Sequence, residues 1–143
     1  MDIRHITDSY AVSPQIAPED VAQIRAAGFA TVICNRPDAE IPAEVHAAVL
    51  RAAVEAAGMT FIDNPVTGGA MTMDNVRSQG EAIAAARGPV LAYCASGNRS
   101  SICWALSQAG TRPTDELIGL PARFGYQLEG LRESIDSLAA ARG

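Results

Sequence analysis

Residues 94–100 read Cys-Ala-Ser-Gly-Asn-Arg-Ser, directly after the apolar run Val90-Leu91-Ala92-Tyr93. The run predicts a short buried strand ending at Tyr93, and the residues from about Arg99 to Ala109 predict a helix. Ala95, Ser96, Gly97 and Asn98 must therefore make a tight loop between them. A loop in that position aims several backbone N–H groups, and the positive end of the helix, at one point. Such a nest binds an anion or stabilises a thiolate. Arg99 adds a permanent, forked positive charge. Cys94 in that setting should ionise readily and act as a nucleophile at neutral pH. A lone cysteine after a strand is commonly a small buried hydrophobe. The full pattern of apolar strand, Cys-x4-Arg-Ser, internal Gly97 and following helix favours covalent catalysis through Cys94 instead. Gly97 is expected where a side chain would clash or need a positive φ.

The rest of the chain alternates short apolar runs with helical patterns. Ile3–Ile6, Tyr10–Val12, Phe29–Cys34 and Met59–Ile62 read as strands. Pro18-Glu19-Asp20 opens a helix that Gly28 stops, since proline suits a first turn and acids suit its positive end. Pro42–Ala57 predicts a helix with Val45, Val49, Ala52 and Ala56 on one stripe. Thr72–Arg87 predicts another, with Val76 and Ile83 inward. Residues 114–143 are helical in pattern, interrupted by Gly119, Pro121 and Gly125, with Leu128, Leu131, Ile135 and Leu138 on the face of the last helix. The expectation is one α/β domain over residues 1–143, with a central, mostly parallel sheet flanked by helices on both faces. Cys94 then falls at the carboxyl end of a central strand, where active sites of such folds are placed.

Composition narrows the partners. The 143 residues are 48% hydrophobic and 19% charged, with a net charge of −5. There is no cluster of Lys or Arg, which argues against nucleic acid and anionic membranes as partners. The expected partner is a small anionic or phosphorylated substrate, handled by local groups. The apolar runs are too short to span a bilayer, and Met1–His5 lacks the apolar core of a signal peptide, so a cytoplasmic location is expected. Cys34, Cys94 and Cys103 have no zinc-like spacing, and His5 and His46 stand apart, so neither a metal nor a cofactor is expected. Nothing in the sequence fixes the oligomeric state.

The stretch Cys94–Ser100, with its strand before and helix after, resembles both the tyrosine and dual-specificity phosphatases and the rhodaneses. Tyr10-Ala-Val-Ser-Pro-Gln, the segment from Gly28 to Glu40 and Phe61-Ile-Asp-Asn-Pro-Val-Thr resemble a dual-specificity phosphatase plan. More closely, residues 3–140 resemble the phosphatase-like domain of bacterial beta-lactamase-hydrolase-like proteins, a family described both as phosphatase-like and as a sulfur transferase. Two departures matter. Tyrosine phosphatases carry His before the catalytic Cys, where this chain has Tyr93. They also have one more residue between Cys and Arg; the shorter loop here is the rhodanese length.

As a phosphatase, Cys94 would form a thiophosphate while Arg99 and the N–H groups of residues 95–99 stabilise the equatorial oxygens. Ser100 would hydrogen-bond the Cys94 sulfur. Asp63, 31 residues before Cys94, matches the position of the general acid in dual-specificity phosphatases; Asp38 and Asp74 are further candidates. As a sulfurtransferase, Cys94 would carry a persulfide and no acid would be needed. As a non-catalytic anion-binding or redox module, Cys94 would pair with Cys34 as its redox partner. Arg36 is expected to anchor its loop by an ion pair with a nearby acid, and Trp104 to sit in the core.

Overall fold

Five strands and six α-helices follow one another through the computed structural model, which describes residues 1–142. The strands are β1 (Arg4–His5), β2 (Tyr10–Ser13), β3 (Thr31–Cys34), β4 (Thr60–Asp63) and β5 (Val90–Tyr93). The helices are α1 (Val21–Ala26), α2 (Ala47–Ala56), α3 (Met73–Ala85), α4 (Asn98–Ser107), α5 (Thr114–Ala122) and α6 (Arg132–Arg142). The sheet order is β1-β2-β5-β3-β4, parallel throughout except for the short β1 on the edge. This is the expected α/β architecture, a mostly parallel sheet flanked by helices.

Side-chain alternation along the strands divides the core into two layers. Tyr10, Val12, Ile33, Val90 and Ala92 face Trp104, Ala105, Leu117 and Ile135 on the side of α4, α5 and α6. Ala11, Val32, Cys34, Phe61, Leu91 and Tyr93 face Ile24, Leu50 and Val54 on the side of α1 and α2. Ser13, Tyr93, Cys34 and Asp63 are in register across β2, β5, β3 and β4. Four parallel strands therefore end along one line, and the chain leaves β5 for α4 at its middle.

Two helical readings are corrected. The helix expected over 42–57 is broken at His46, whose ψ of 157° is extended. Asp38 Oδ1 accepts the Ala47 N–H at 2.8 Å, so α2 starts there. That shift buries Ala47, Leu50 and Val54 and leaves Val49 39% exposed, in place of the expected stripe. The pattern over 114–143 resolves into α5, a turn and α6; Leu128 lies before α6, and residue 143 lies outside the described residues. Gly80, in the middle of α3, is a point of close approach, since a Cβ there would meet Ser107 Cβ of α4 at 3.4 Å. No helix among the described residues is long and apolar enough to cross a membrane.

A buried polar network joins the sheet to the helices. Asn35, just past β3, and Gln79 of α3 are fully buried and exchange reciprocal amide hydrogen bonds, of 2.9 and 3.0 Å. Gln79 also accepts from Asn64 Nδ2 at 2.8 Å and donates to the Tyr10 hydroxyl at 3.0 Å. Asn64 and Asn75 continue the network to the loop after β4. Ser100 Oγ donates to Asn35 Oδ1, and the Tyr10 hydroxyl donates to the Ser100 carbonyl. A buried amide without partners costs more than the bonds it makes in the folded state gain over water. Gln79→Leu should accordingly lower the unfolding free energy by about 2–4 kcal/mol. The check is the urea midpoint at unchanged m-value; an unshifted midpoint would show the network to be energetically neutral.

Candidate functional site

The loop between β5 and α4 turns on Gly97. Its φ of +97° places it in the left-handed region, as the cap that starts α4. The turn carries the Gly97 N–H inward, 3.1 Å from Cys94 Sγ. Cys94 is buried, whereas Ala95 and Ser96 lie on the exposed side of the loop. A Cβ on Gly97 would run into the Tyr126 hydroxyl, with Tyr126 Cζ at 3.0 Å and Val12 Cγ2 at 3.2 Å. Glycine is required there by conformation and by space together. The Asn98 N–H is held by Ser96 Oγ at 3.3 Å.

Arg99, one residue into α4, reaches across the end of the sheet. Its Nη1 donates to Glu40 Oε2 at 2.9 Å and to the Val66 carbonyl at 2.7 Å, and its Nη2 donates to Glu40 Oε1 at 2.8 Å. Glu40 closes a short 3₁₀ turn after β3 (Asp38–Glu40) and also accepts from Arg36 Nε at 3.2 Å. Arg36 thus anchors its loop through an acid. The forked pair fixes the guanidinium plane and leaves Nε–H and one Nη2 hydrogen for a ligand. The hydrogen bond from Arg99, and then that from Arg36, hold the Glu40 carboxyl below the usual carboxylate range. The Glu40 bond holds the Arg99 guanidinium above its ordinary value, with a smaller contribution from the neighbouring Cys94 sulfur. Glu40 is a site residue that the sequence reading missed. Its one signal is the Arg36–Glu40 spacing, which says nothing of Arg99, 59 positions away.

Three expected roles are corrected. The Ser100 hydroxyl is fully buried and bonds Asn35, not the Cys94 sulfur. Asp63 stands two strands from β5, in register with Cys34. Alternation turns it to the α2 side with Phe61, away from the loop that runs into α4. Burial, and then the charge of Asp38, push its carboxyl up. That is the direction useful in an acid, but on the wrong face of the sheet. Cys34 also lies on the α2 side, its thiol donating to the Arg36 carbonyl at 3.3 Å, and all three cysteines are free. Cys103 of α4 is the cysteine on the Cys94 side; it is buried 3.7 Å from Met71 Sδ, and burial pushes its thiol up to about 12. Of the other acids named, Asp38 caps α2 and Asp74 pairs with Arg77 on the surface of α3. Trp104 packs in the core against Tyr10, as expected.

The outer side of the loop is held by residues from both ends of the chain. The Tyr126 hydroxyl donates to the Ser96 carbonyl at 2.7 Å. Arg4 Nη1 lies 2.6 Å from that hydroxyl and 3.4 Å from the same carbonyl, with its guanidinium carbon 5.5 Å from the Tyr126 ring centre. Burial raises the Tyr126 phenol against the opposing pull of Arg4, so the hydroxyl keeps its proton at neutral pH and donates.

Comparison with known proteins agrees with this architecture. The profile of the beta-lactamase hydrolase-like protein, phosphatase-like domain family matches residues 2–111. Tyr126 lies beyond that span. A beta-lactamase hydrolase-like protein of Xylella fastidiosa strain Temecula1 is 31% identical over 130 residues, covering 90% of this chain and 30% of the relative. The chain thus spans under a third of the length of that curated relative. A solved Neisseria meningitidis structure, described as that of a candidate phosphatase, is 36% identical, with a TM-score of 0.81 over 96% of this chain and 99% of that one. A Pseudomonas aeruginosa protein crystallised with phosphotyrosine shares the fold, at 18% identity, with a TM-score of 0.67 over 97% of this chain and 88% of that one.

Glu40→Ala should leave Arg99 without its fixed plane and lower affinity for inorganic phosphate roughly tenfold or more, as loss of a positioning contact does; calorimetry on the two proteins checks it, and equal affinity would remove Glu40 from the site. The sign with pH follows from the lowered carboxyl. The ion pair is complete above the unfolded value of about 4.3 and is lost only as pH falls through the lower folded one, so phosphate affinity should not fall through Glu40 protonation between pH 7 and 5.

Proposed function

The chain belongs to the family of beta-lactamase hydrolase-like proteins, phosphatase-like domain, and from that premise we propose that it is a phosphatase-like hydrolase acting on phosphate esters through Cys94. The observation that carries the reading is the Cys94 sulfur accepting the Gly97 N–H at the start of α4, beside an Arg99 whose plane Glu40 fixes. Cys94 thiolate attacks phosphorus, the ester oxygen leaves with the bonding pair, and a thiophosphate forms. Water then cleaves the S–P bond to release phosphate and return the thiolate. The inward Gly97 N–H and the unengaged donors of Arg99 stabilise the charge that builds on the equatorial oxygens.

The leaving oxygen finds no ready acid. Asp63 faces the α2 side, and Glu40 is ionised by its two arginines. The substrates that fit are small phosphate monoesters whose leaving group departs without a proton, aryl phosphates first. The likeness to a phosphotyrosine-bound fold supports the same class.

A second reading, sulfur transfer, is favoured by the four residues between Cys94 and Arg99 and by that missing acid. Here Cys94 thiolate attacks the outer sulfur of a donor such as thiosulfate, the S–S bond breaks, sulfite leaves, and a persulfide remains beneath the Gly97 N–H.

The two readings separate in one experiment: intact mass after acid quench from a mixture of aryl phosphate and thiosulfate, with Cys94→Ser as control. A phosphoryl adduct absent from the variant is the expected result. An added sulfur absent from the variant would establish sulfur transfer, and no adduct from either reagent would leave an anion-binding or redox module. Asp63→Asn should leave the aryl phosphate rate within about twofold, since surface substitutions away from a site change little; a large loss would return Asp63 to the mechanism.

A further inference from the structure

The Ser96–Gly97 peptide is one rigid trans unit, so its C=O and its N–H point in opposite directions. Its N–H points inward to Cys94 Sγ at 3.1 Å. Its C=O points outward, where the Tyr126 hydroxyl donates to it at 2.7 Å and Arg4 Nη1 approaches it at 3.4 Å. Whatever grips the carbonyl therefore decides which way the N–H faces. The grip matters because Gly97 has no side chain to bar a flip of that peptide.

We propose that Tyr126, backed by Arg4, is a positioning residue that locks the Ser96–Gly97 peptide with its N–H toward Cys94, the orientation that receives a thiolate or a bound anion. The proposal rests on the reading of Cys94 as the nucleophile. Tyr126 is suited to the task because its ring is held by packing. It is 5% exposed and packs in the core with Leu128, Ile135 and Trp104. Its N–H bonds the Pro121 carbonyl at the end of α5. The hydroxyl is therefore a fixed point that the C-terminal third of the chain delivers to the loop.

Arg4 adds direction as well as contact. It donates to the Tyr126 oxygen at 2.6 Å and is itself held by Asp2. A positive charge behind a donating hydroxyl strengthens the next bond in the line. The line runs from Arg4 through Tyr126 to the Ser96 carbonyl, across the peptide to the Gly97 N–H, and ends on the Cys94 sulfur. A cation on β1, outside the loop, thereby favours negative charge inside it.

The same geometry calls for glycine at the turn. A Cβ on Gly97 would strike the same Tyr126 hydroxyl that holds Ser96. Clamp and glycine are one device: the hydroxyl can sit against the peptide only because position 97 is bare.

The test is the pH dependence of Cys94 alkylation by iodoacetamide, resolved by peptide mass so that Cys34 and Cys103 do not interfere. Tyr126→Phe keeps the packing ring and removes only the hydroxyl. The thiolate fraction of Cys94 at neutral pH should fall about threefold to tenfold, the worth of one hydrogen bond to a charged or polar group, with the rate profile displaced to higher pH. Arg4→Met should displace the profile the same way by less. Profiles of both variants that coincide with that of the parent would overturn the proposal. If Tyr126→Phe proves unstable, Arg4→Met alone decides it, since a residue that only filled space would not move a titration. Alkylation needs no turnover, so the outcome is independent of the hydrolase reading. A displaced profile in a protein that cleaves no phosphate ester would keep the clamp and remove the function proposed above. An undisplaced profile in an active hydrolase would do the reverse.

Discussion

The reciprocal amide pair between Asn35 and Gln79 is the joint on which the site depends. It sits where β3 ends, beneath α3, fully removed from water. From it, bonds run to Asn64 in the loop after β4, to Tyr10 on β2 and to Ser100 in the first turn of α4. Asn64 and Ser100 border the line where the parallel strands end, and the Tyr10 hydroxyl reaches the Ser100 carbonyl from the first residue of β2. A network of this kind is stable only when every member is satisfied. Its members therefore constrain one another, and the loops that carry functional groups inherit that rigidity.

On this base the candidate site is held from three sides. Ser100 pins the start of α4 from below. Glu40 and the Val66 carbonyl pin Arg99 from the side of β3 and β4. Tyr126 and Arg4 pin the outer edge of the loop from the C-terminal helices and β1. Cys94 contributes a sulfur to this frame and little support of its own. Such division suits covalent catalysis: the nucleophile must change its bonding during a turnover, whereas the groups that stabilise charge must not reorganise.

Much of the fold was legible in the sequence because short parallel strands and amphipathic helices are written in local periodicity. The strand Val90–Tyr93, the turn at Gly97, the helix after it and the α/β alternation follow from neighbouring residues. The helix over 42–57 was misplaced because its start is set by Asp38, nine positions before Ala47 in a separate turn. Cys94 and Arg99 were legible for the same reason the strands were: one loop holds both. Glu40 and Tyr126 were not, because they act on that loop from 59 and 30 positions away along the chain. Asp63 was misread for the complementary reason. Its distance from Cys94 along the chain suits an acid, but the pleat of β4 turns it to the other face of the sheet.

The sequence by itself determined the loop: a thiol at the end of a buried strand, a glycine at the turn, a guanidinium at the head of a helix, all within seven consecutive residues. Backbone sterics and the helix end dictate their mutual placement, so no distant contact is needed to foresee it. Only the tertiary structure decided what surrounds the loop. A carboxylate's partner, the side of the sheet an aspartate faces and the hydroxyl that grips a carbonyl depend on strand order and on packing between elements far apart in the chain. Those are long-range choices made by the folded core, and no local spacing encodes them.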